Sequence, residues 1–308
     1  MSHIFEALQR AEAERSGGNS IKVSESAVDL LELALAQGEE RANPAAVVNR
    51  GVIAERLDPE VLSAARLVVP APASDARLVC LTDQGSLAAE KFRVLGLRLR
   101  TLREKRPCKR IVVTSTIPEE GKTLNAVNLA LNQSRSKITK TVLVDGDLRR
   151  PAVASRFGLS RSLPGLTECL RGEKQLSEVL CKLQGTNLWF LPAGLPPENP
   201  LELMQSGRVA ELFENLGKVF DWVIIDSPPV IPLADTSFWM KLSDGVLLVV
   251  REGVSEKGPL KRALEIIDRS TLLGVVVNSC SSGDHKNYYQ RYKAVSISPG
   301  EFPSAESA

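Results

Sequence analysis

Three short stretches put charged and hydroxyl-bearing side chains where a β-branched apolar run stops. They are TIPEEGKT at 116–123, DGDLRRP at 145–151 and DSPP at 226–229. The first follows IVVTS and precedes LNAVNLALNQS, so a strand leads into a loop and the loop into an amphipathic helix. That context, with Gly121, Lys122 and Thr123, fits the P-loop pattern G-x-x-x-x-G-K-[ST], although Thr116 stands where the first glycine would be. The chemistry of phosphate binding says what must remain. Backbone N–H groups at a helix N-terminus face the phosphates. Lys122 neutralises their charge, and the Thr123 hydroxyl is suited to ligate Mg²⁺.

Asp145 and Asp147 close the run VLV, and Asp226 closes VII. In open α/β sheets a ligand sits beyond the carboxyl ends of the strands. The three aspartates and the P-loop are therefore expected to converge on one crevice. A carboxylate there can hold Mg²⁺, directly or through water, or take a proton from a nucleophile. Taken singly, each aspartate could equally cap a helix or form a turn.

The elements that must position these groups are legible as alternating patterns. Short apolar runs recur at Ile111–Val113, Val142–Val144, Val223–Ile225, Val246–Val250 and Val275–Val277. They are continuous rather than alternating, which predicts strands buried on both faces of a parallel sheet. Between them lie segments of helical period, such as Leu124, Val127, Leu131 and Leu260, Ala263, Leu264, Ile267. Strands alternating with helices predict a doubly wound, mainly parallel α/β fold of the P-loop type.

Three zones follow. Residues 1–77 form a variable N-terminal region, in which Ile4, Phe5, Leu8 and Ala11 could share a helix face and Pro70–Ser74 reads as a linker. Residues 78–281 form the organised nucleotide-binding domain. Residues 282–308 read as a polar, flexible tail.

A formal net charge of +2 offers no overall excess for a nucleic-acid backbone, so no nucleic-acid partner is expected. The five cysteines, at 80, 108, 169, 181 and 280, form no C-x-x-C pair and read as reduced thiols. The N-terminus lacks a secretory pattern and no apolar run reaches 18 residues, so a cytoplasmic chain is expected, brought to the inner face of a membrane only by another chain.

Together, TSTIPEEGKT, VLVDGDLRRP and VIIDSPP resemble the bacterial tyrosine kinases (BY-kinases) of exopolysaccharide and capsule synthesis. The resemblance runs over about 80–280, through PGLTECLRGE, LWFLPAGLPPENPLELM, DGVLLVVREG and LGVVVN. It implies a deviant P-loop fold, ATP and Mg²⁺, and an autokinase activity that regulates polysaccharide synthesis or export. Residues Glu120 to Leu124 would form the phosphate loop. Lys122 and Thr123 would bind ATP phosphates and Mg²⁺. Asp145 would be the general base with Asp147 assisting at the metal, and Asp226 would serve the Mg²⁺ shell. Arg149 would stabilise phosphate charge, and Asn278 would contact the adenine. In the family a tyrosine-rich tail accepts the phosphate. Here all three tyrosines of the chain, Tyr288, Tyr289 and Tyr292, fall within five residues of the tail. The stand-alone form of the family also implies activation by a separate membrane chain-length or export protein.

The sequence departs from the family in its tail, which is short in tyrosines, and at two other places. The family loop usually has glycine near 119, but here Glu119 and Glu120 are adjacent, and two carboxylates beside the expected triphosphate repel unless they point outward or face Mg²⁺. In the family's oligomer motif E-x-x-R-x-x-R, Glu90 and Arg93 fit but Gly96 replaces the last arginine; the pair could equally be an i,i+3 surface pair. Two other readings compete with the autokinase. One is a degenerate ATP-binding regulatory subunit of polysaccharide export. The other is a partition-type P-loop ATPase, which would have a second lysine where Ile117 stands. A GTPase is disfavoured because 278–281 reads NSCS rather than a base-reading motif.

Overall fold

The computed structural model describes residues 59–231 and 234–279. All of them belong to one compact unit, Gly51–Ala308, of the two into which the chain divides. The helix face at Ile4–Ala11, Cys280 and the three tyrosines lie outside the described residues.

Eight strands form one sheet: β1 (Arg66–Val68), β2 (Arg110–Ser115), β3 (Thr141–Asp145), β4 (Cys181–Leu183), β5 (Leu188–Leu191), β6 (Trp222–Asp226), β7 (Gly245–Arg251) and β8 (Leu272–Asn278). Their order is β1-β4-β5-β3-β6-β2-β7-β8. Every pairing is parallel except β4 with β5. The five longer helices are α1 (Leu87–Lys105), α2 (Lys122–Gln133), α3 (Arg208–Val219), α4 (Ala234–Leu242) and α5 (Lys257–Ile266).

Successive strand residues point to opposite faces. Ile111, Val113, Leu143 and Ile224 pack with Leu99 of α1 and with Ala126, Val127 and Ala130 of α2. Val112, Val142, Val144 and Val223 pack instead with Leu212 and Phe213 of α3 and Trp239 of α4. The continuous apolar runs are thus explained for the central strands, which are covered on both sides.

At the edge the expectation fails. Val275 and Val277 of β8 are 46% and 52% exposed. An edge strand has a neighbour on one side only, and composition does not reveal that position. The N-terminal zone also differs from its reading. Residues 66–68 form β1 and pair with β4, and Ala71 N donates to the Phe157 carbonyl at 2.9 Å. The Pro/Ala stretch is therefore docked on the sheet layer rather than free as a linker, because backbone pairing needs no apolar side-chain pattern.

Gly96 has a packing reason. A Cβ there would lie 2.2 Å from Asn132 Nδ2 of α2, so glycine lets α1 and α2 approach closely. Cys80, Cys108 and Cys181 are buried free thiols, as expected for reduced cysteines, and Cys169 is buried as well. Burial pushes Cys80 up to about 12 and Cys181 up to about 11, which leaves both as unreactive thiols.

Candidate active site

The chain leaves β2 at Ser115 and enters α2 at Lys122, and the loop between them is held from several directions. Gly121 is the residue before α2, with φ of 98°. That backbone angle demands glycine, and a Cβ on it would also push aside the Asn278 amide, 2.2 Å away. Asn125 Nδ2 donates to the Gly121 carbonyl at 2.9 Å. Thr116 does not have positive φ, so the missing first glycine carries no conformational cost here.

Glu120 is fully buried. Its carboxylate accepts from Thr116 N at 2.6 Å and Ile117 N at 3.0 Å, and also from the Ser255 hydroxyl. The side chain is a brace inside the loop, turned away from the phosphate position. Glu119 is exposed, so its charge stays hydrated and screened. Its φ of 66° is a left-handed backbone that costs a side-chain-bearing residue and suits glycine. The expected clash of two carboxylates with a triphosphate is thereby resolved: one is spent on backbone amides and the other faces solvent.

Two residues from the ends of β7 and β8 complete the brace. Asn278 Nδ2 donates to the Glu120 carbonyl at 2.9 Å, and Arg251 Nη1 to the Glu119 carbonyl at 3.5 Å. Asn278 thus has its amide group committed to the loop, whereas the resemblance gave it to adenine. The side chain of Leu124 packs on the helix core beneath α2, which leaves its backbone N–H as the group offered to a ligand.

The three aspartates do converge with Lys122. Asp145 and Asp226 are register partners on the adjacent strands β3 and β6, and β2 lies on the other side of β6. The P-loop and both carboxylates therefore lie at the carboxyl ends of three neighbouring strands, where β2 connects across β6 to β3. Lys122 Nζ is 2.8 Å from Asp147 Oδ2 and 3.9 Å from Asp226 Oδ1. Burial alone would lower the Lys122 ammonium, but the charges of Asp226 and Asp147 outweigh it and hold it above the usual lysine value.

Burial, with the facing Asp226 carboxylate, pushes Asp145 up to about 8; hydrogen bonds from the Val153 amide oppose the shift. Burial likewise pushes Asp226 up to about 6, with Lys122 acting against it. Asp145 Oδ2 accepts from Ala152 N at 3.1 Å and Val153 N at 3.0 Å, while its Oδ1 has no hydrogen-bond partner. Both carboxylate oxygens of Asp226 are buried and lack a well-formed hydrogen bond, with the Thr123 hydroxyl and Lys122 the groups that act on them. Orphaned buried oxygens of this kind suit a hard divalent cation, with the buried Thr123 beside them at the start of α2. Among the described residues no group of three or more His, Cys, Asp or Glu side chains forms a metal cage.

Arg149 is held by a residue from another element. Its guanidinium is bound by Asp235 of α4, Nε to Oδ2 at 2.6 Å and Nη2 to Oδ1 at 3.2 Å. Asp235 was not singled out from sequence, and neither were Ser255, Arg251 and Asn125. Asp235 lies on α4, far along the chain from DGDLRRP, and no local spacing announces the pairing. Glu90 and Arg93 form an i,i+3 ion pair on α1, and Arg93 also donates to the Gln84 carbonyl.

No family model matches the chain. Among curated proteins, tyrosine-protein kinase YwqD of Bacillus subtilis is 31% identical over 213 residues, which is 68% of this chain and 89% of that protein. The chain belongs to the bacterial tyrosine-protein kinases. Solved structures of this kinase family have the same fold. The chimerical protein CapA2B2 superposes with a TM-score of 0.64 at 30% identity, over 70% of this chain and 95% of that one. The kinase domain of the Escherichia coli tyrosine kinase ETK gives 0.59 at 25%, over 67% and 82%. As a member of this family, the chain has a mainly parallel P-loop kinase fold in which Gly121, Lys122, Asp145, Asp147 and Asp226 occupy one crevice. No helix among the described residues is long and apolar enough to cross a membrane.

Proposed function

We propose that the chain is an ATP-dependent protein-tyrosine autokinase of exopolysaccharide or capsule synthesis, with ATP and Mg²⁺ bound in the 78–281 domain and Tyr288, Tyr289 and Tyr292 as acceptors. The observation that carries this is the set of orphaned carboxylate oxygens on Asp226 and Asp145 beside Lys122 and the glycine-capped start of α2. Phosphates would meet the free N–H groups of Gly121 to Leu124, and Lys122 would move from Asp147 to the phosphate oxygens. Thr123, Asp147 and Asp226 would hold Mg²⁺, which neutralises charge on the phosphates and the leaving group. The tyrosine oxygen attacks the γ-phosphorus, the bond to the β-phosphate oxygen breaks, and ADP leaves. Asp145 would accept the tyrosine proton as a carboxylate, the form that the positive charge of Lys122 beside it favours. Arg149, fixed by Asp235, would supply a stationary positive charge near Asp147.

The braced position of Glu120 and the exposure of Glu119 leave the phosphate site open and favour the active kinase over a degenerate regulatory subunit. We further propose a cytoplasmic location at the membrane's inner face, an activating membrane export protein as partner, and self-association through the Glu90–Arg93 surface.

The test uses the purified full chain with γ-labelled ATP, in Mg²⁺ and in chelator, and maps the label by mass spectrometry. Label on Tyr288, Tyr289 or Tyr292 that needs Mg²⁺ and disappears in Lys122→Met is expected. The autokinase reading is refuted if no tail tyrosine is labelled even when a membrane fraction carrying the partner is added.

A further inference from the structure

The overall charge of +2 conceals a strong asymmetry. From Arg98 to Arg110 there are seven Lys or Arg and a single acid, Glu104; residues 134–140 (SRSKITK) hold three bases and no acid. The first stretch is the end of α1 and the turn into β2, and the second is the turn from α2 into β3. β2 and β3 run parallel on either side of β6, so both turns emerge at the amino ends of the strands. This is the end of the sheet opposite the nucleotide crevice. The two turns meet there, where Arg100, Arg103 and Glu104 line one open hollow of 430 Å³ with Ile138, Thr139 and Asp221.

Some of these cations are committed. Arg103 donates to the Asp221 carbonyl at 2.8 Å and stacks over Trp222, and Arg110 pairs with Asp244 at 2.8 Å. Lys109 and Arg106 are spent on the carbonyls of Gly217 and Ser270. Arg100 Nε donates to Gln133 Oε1 at 3.0 Å, while Lys105, Arg135, Lys137 and Lys140 have no carboxylate partner among the described residues. Between the last two stands Ile138, which is 89% exposed. The turn that carries it is pinned, since Asn187 Nδ2 donates to the Ser136 and Lys137 carbonyls at 3.1 and 2.6 Å and Lys140 N donates to Asp221 Oδ2 at 2.9 Å. The isoleucine is therefore held out to solvent by a structured turn.

A preference of cations for helix C-termini accounts for Arg103 and Lys105 in the last turn of α1. It does not account for three bases past the end of α2, nor for the isoleucine between them. An apolar tip ringed by uncompensated cations matches the interface of an anionic bilayer, where the tip enters the acyl boundary and the cations meet headgroup phosphates. A single-stranded nucleic acid would call for exposed aromatic rings to stack its bases, whereas the rings at the start of β6, Phe220 and Trp222, are both buried, Trp222 beneath Arg103. We infer that the strand-amino end of this kinase, centred on Lys137, Ile138 and Lys140, is a docking surface for anionic lipid bilayers. It leaves the nucleotide crevice facing away from the membrane, and it does not depend on the phosphoacceptor assignment.

The experiment is co-sedimentation of the full chain with phosphatidylcholine vesicles containing about 30% phosphatidylglycerol or none. Binding to the anionic vesicles alone is expected, and it should weaken as salt rises from about 0.1 to about 0.5 M and the Debye length shortens. Each basic residue removed near the surface should weaken partitioning about fivefold, so K137Q/K140Q should lose about 25-fold and K137E/K140E more. Ile138→Ser should weaken binding severalfold without changing the salt dependence. Unchanged ATP affinity in the same preparations would place the loss at this surface. Equal recovery on neutral vesicles, no recovery on either, or wild-type recovery of both double variants overturns the inference. So does binding to a single-stranded oligonucleotide that the double variants abolish while anionic vesicles recover nothing, since the surface would then belong to nucleic acid.

Discussion

Glu120 offers the sharpest test of how the phosphate loop is built. In Glu120→Ala the amides of Thr116 and Ile117 lose their acceptor at 2.6 and 3.0 Å, and the Ser255 hydroxyl loses its partner. Thr116 is buried and Ile117 half-buried, so water does not fully replace the carboxylate. A buried donor left unsatisfied costs about 1–3 kcal/mol. Two amides therefore set an expected loss of about 2–5 kcal/mol, a large part of a typical domain stability of about 5–15 kcal/mol. Glu120→Gln keeps an oxygen for the two amides and turns its NH₂ toward the Ser255 oxygen. It should lose only the charge-assisted part of the bonds, about 1 kcal/mol. Urea unfolding followed by the fluorescence of Trp189, Trp222 and Trp239, all buried, measures both variants. ATP titration of the same samples should find binding strongly weakened in the alanine variant and nearly retained in the glutamine variant. A stability loss under about 1 kcal/mol in Glu120→Ala would refute the brace. Equal loss of ATP affinity in both variants, with stability intact, would instead mean that the charge itself serves the ligand.

Other outcomes follow from the same geometry. Glu119→Gly relieves a left-handed backbone costing about 1–2 kcal/mol while adding about 0.4–1 kcal/mol of unfolded-state entropy, so a net gain of roughly 0.5–1 kcal/mol should appear in the urea midpoint. Arg149→Met uncovers the buried Asp235 carboxylate; with the arginine side chain 41% exposed, a loss of about 1–3 kcal/mol is expected, and Asp235→Asn should recover part of it in the double variant. Asp145 and Asp226 bind protons more tightly folded than unfolded, since both are displaced upward from 3.8. Without nucleotide and metal, their contribution to stability is therefore greatest at low pH and is lost as pH rises toward about 8. Asp145→Asn keeps an oxygen for the Ala152 and Val153 amides, so thermal unfolding should show it stabilised at about pH 8 and much less so at about pH 5.

The residues that meet at the crevice are legible in local sequence patterns. A lysine and threonine after Gly121, and aspartates at the ends of apolar runs, are local patterns, and a parallel sheet brings the ends of such runs together whatever else the chain does. The sequence also determined the central strands, because residues covered on both faces must be apolar throughout. Tertiary structure decided whatever depends on residues distant in the chain. That Glu120 braces the loop while Glu119 stays in solvent rests on a backbone angle and on Ser255, Arg251 and Asn278 arriving from β7 and β8. Arg149 is fixed by Asp235, 86 residues away. The exposure of Val275 and Val277 follows from β8 lying at the sheet's edge. The basic end was hidden because net charge sums over the whole surface, whereas attraction to a partner falls off within about 10 Å and is set by which turns the fold places side by side.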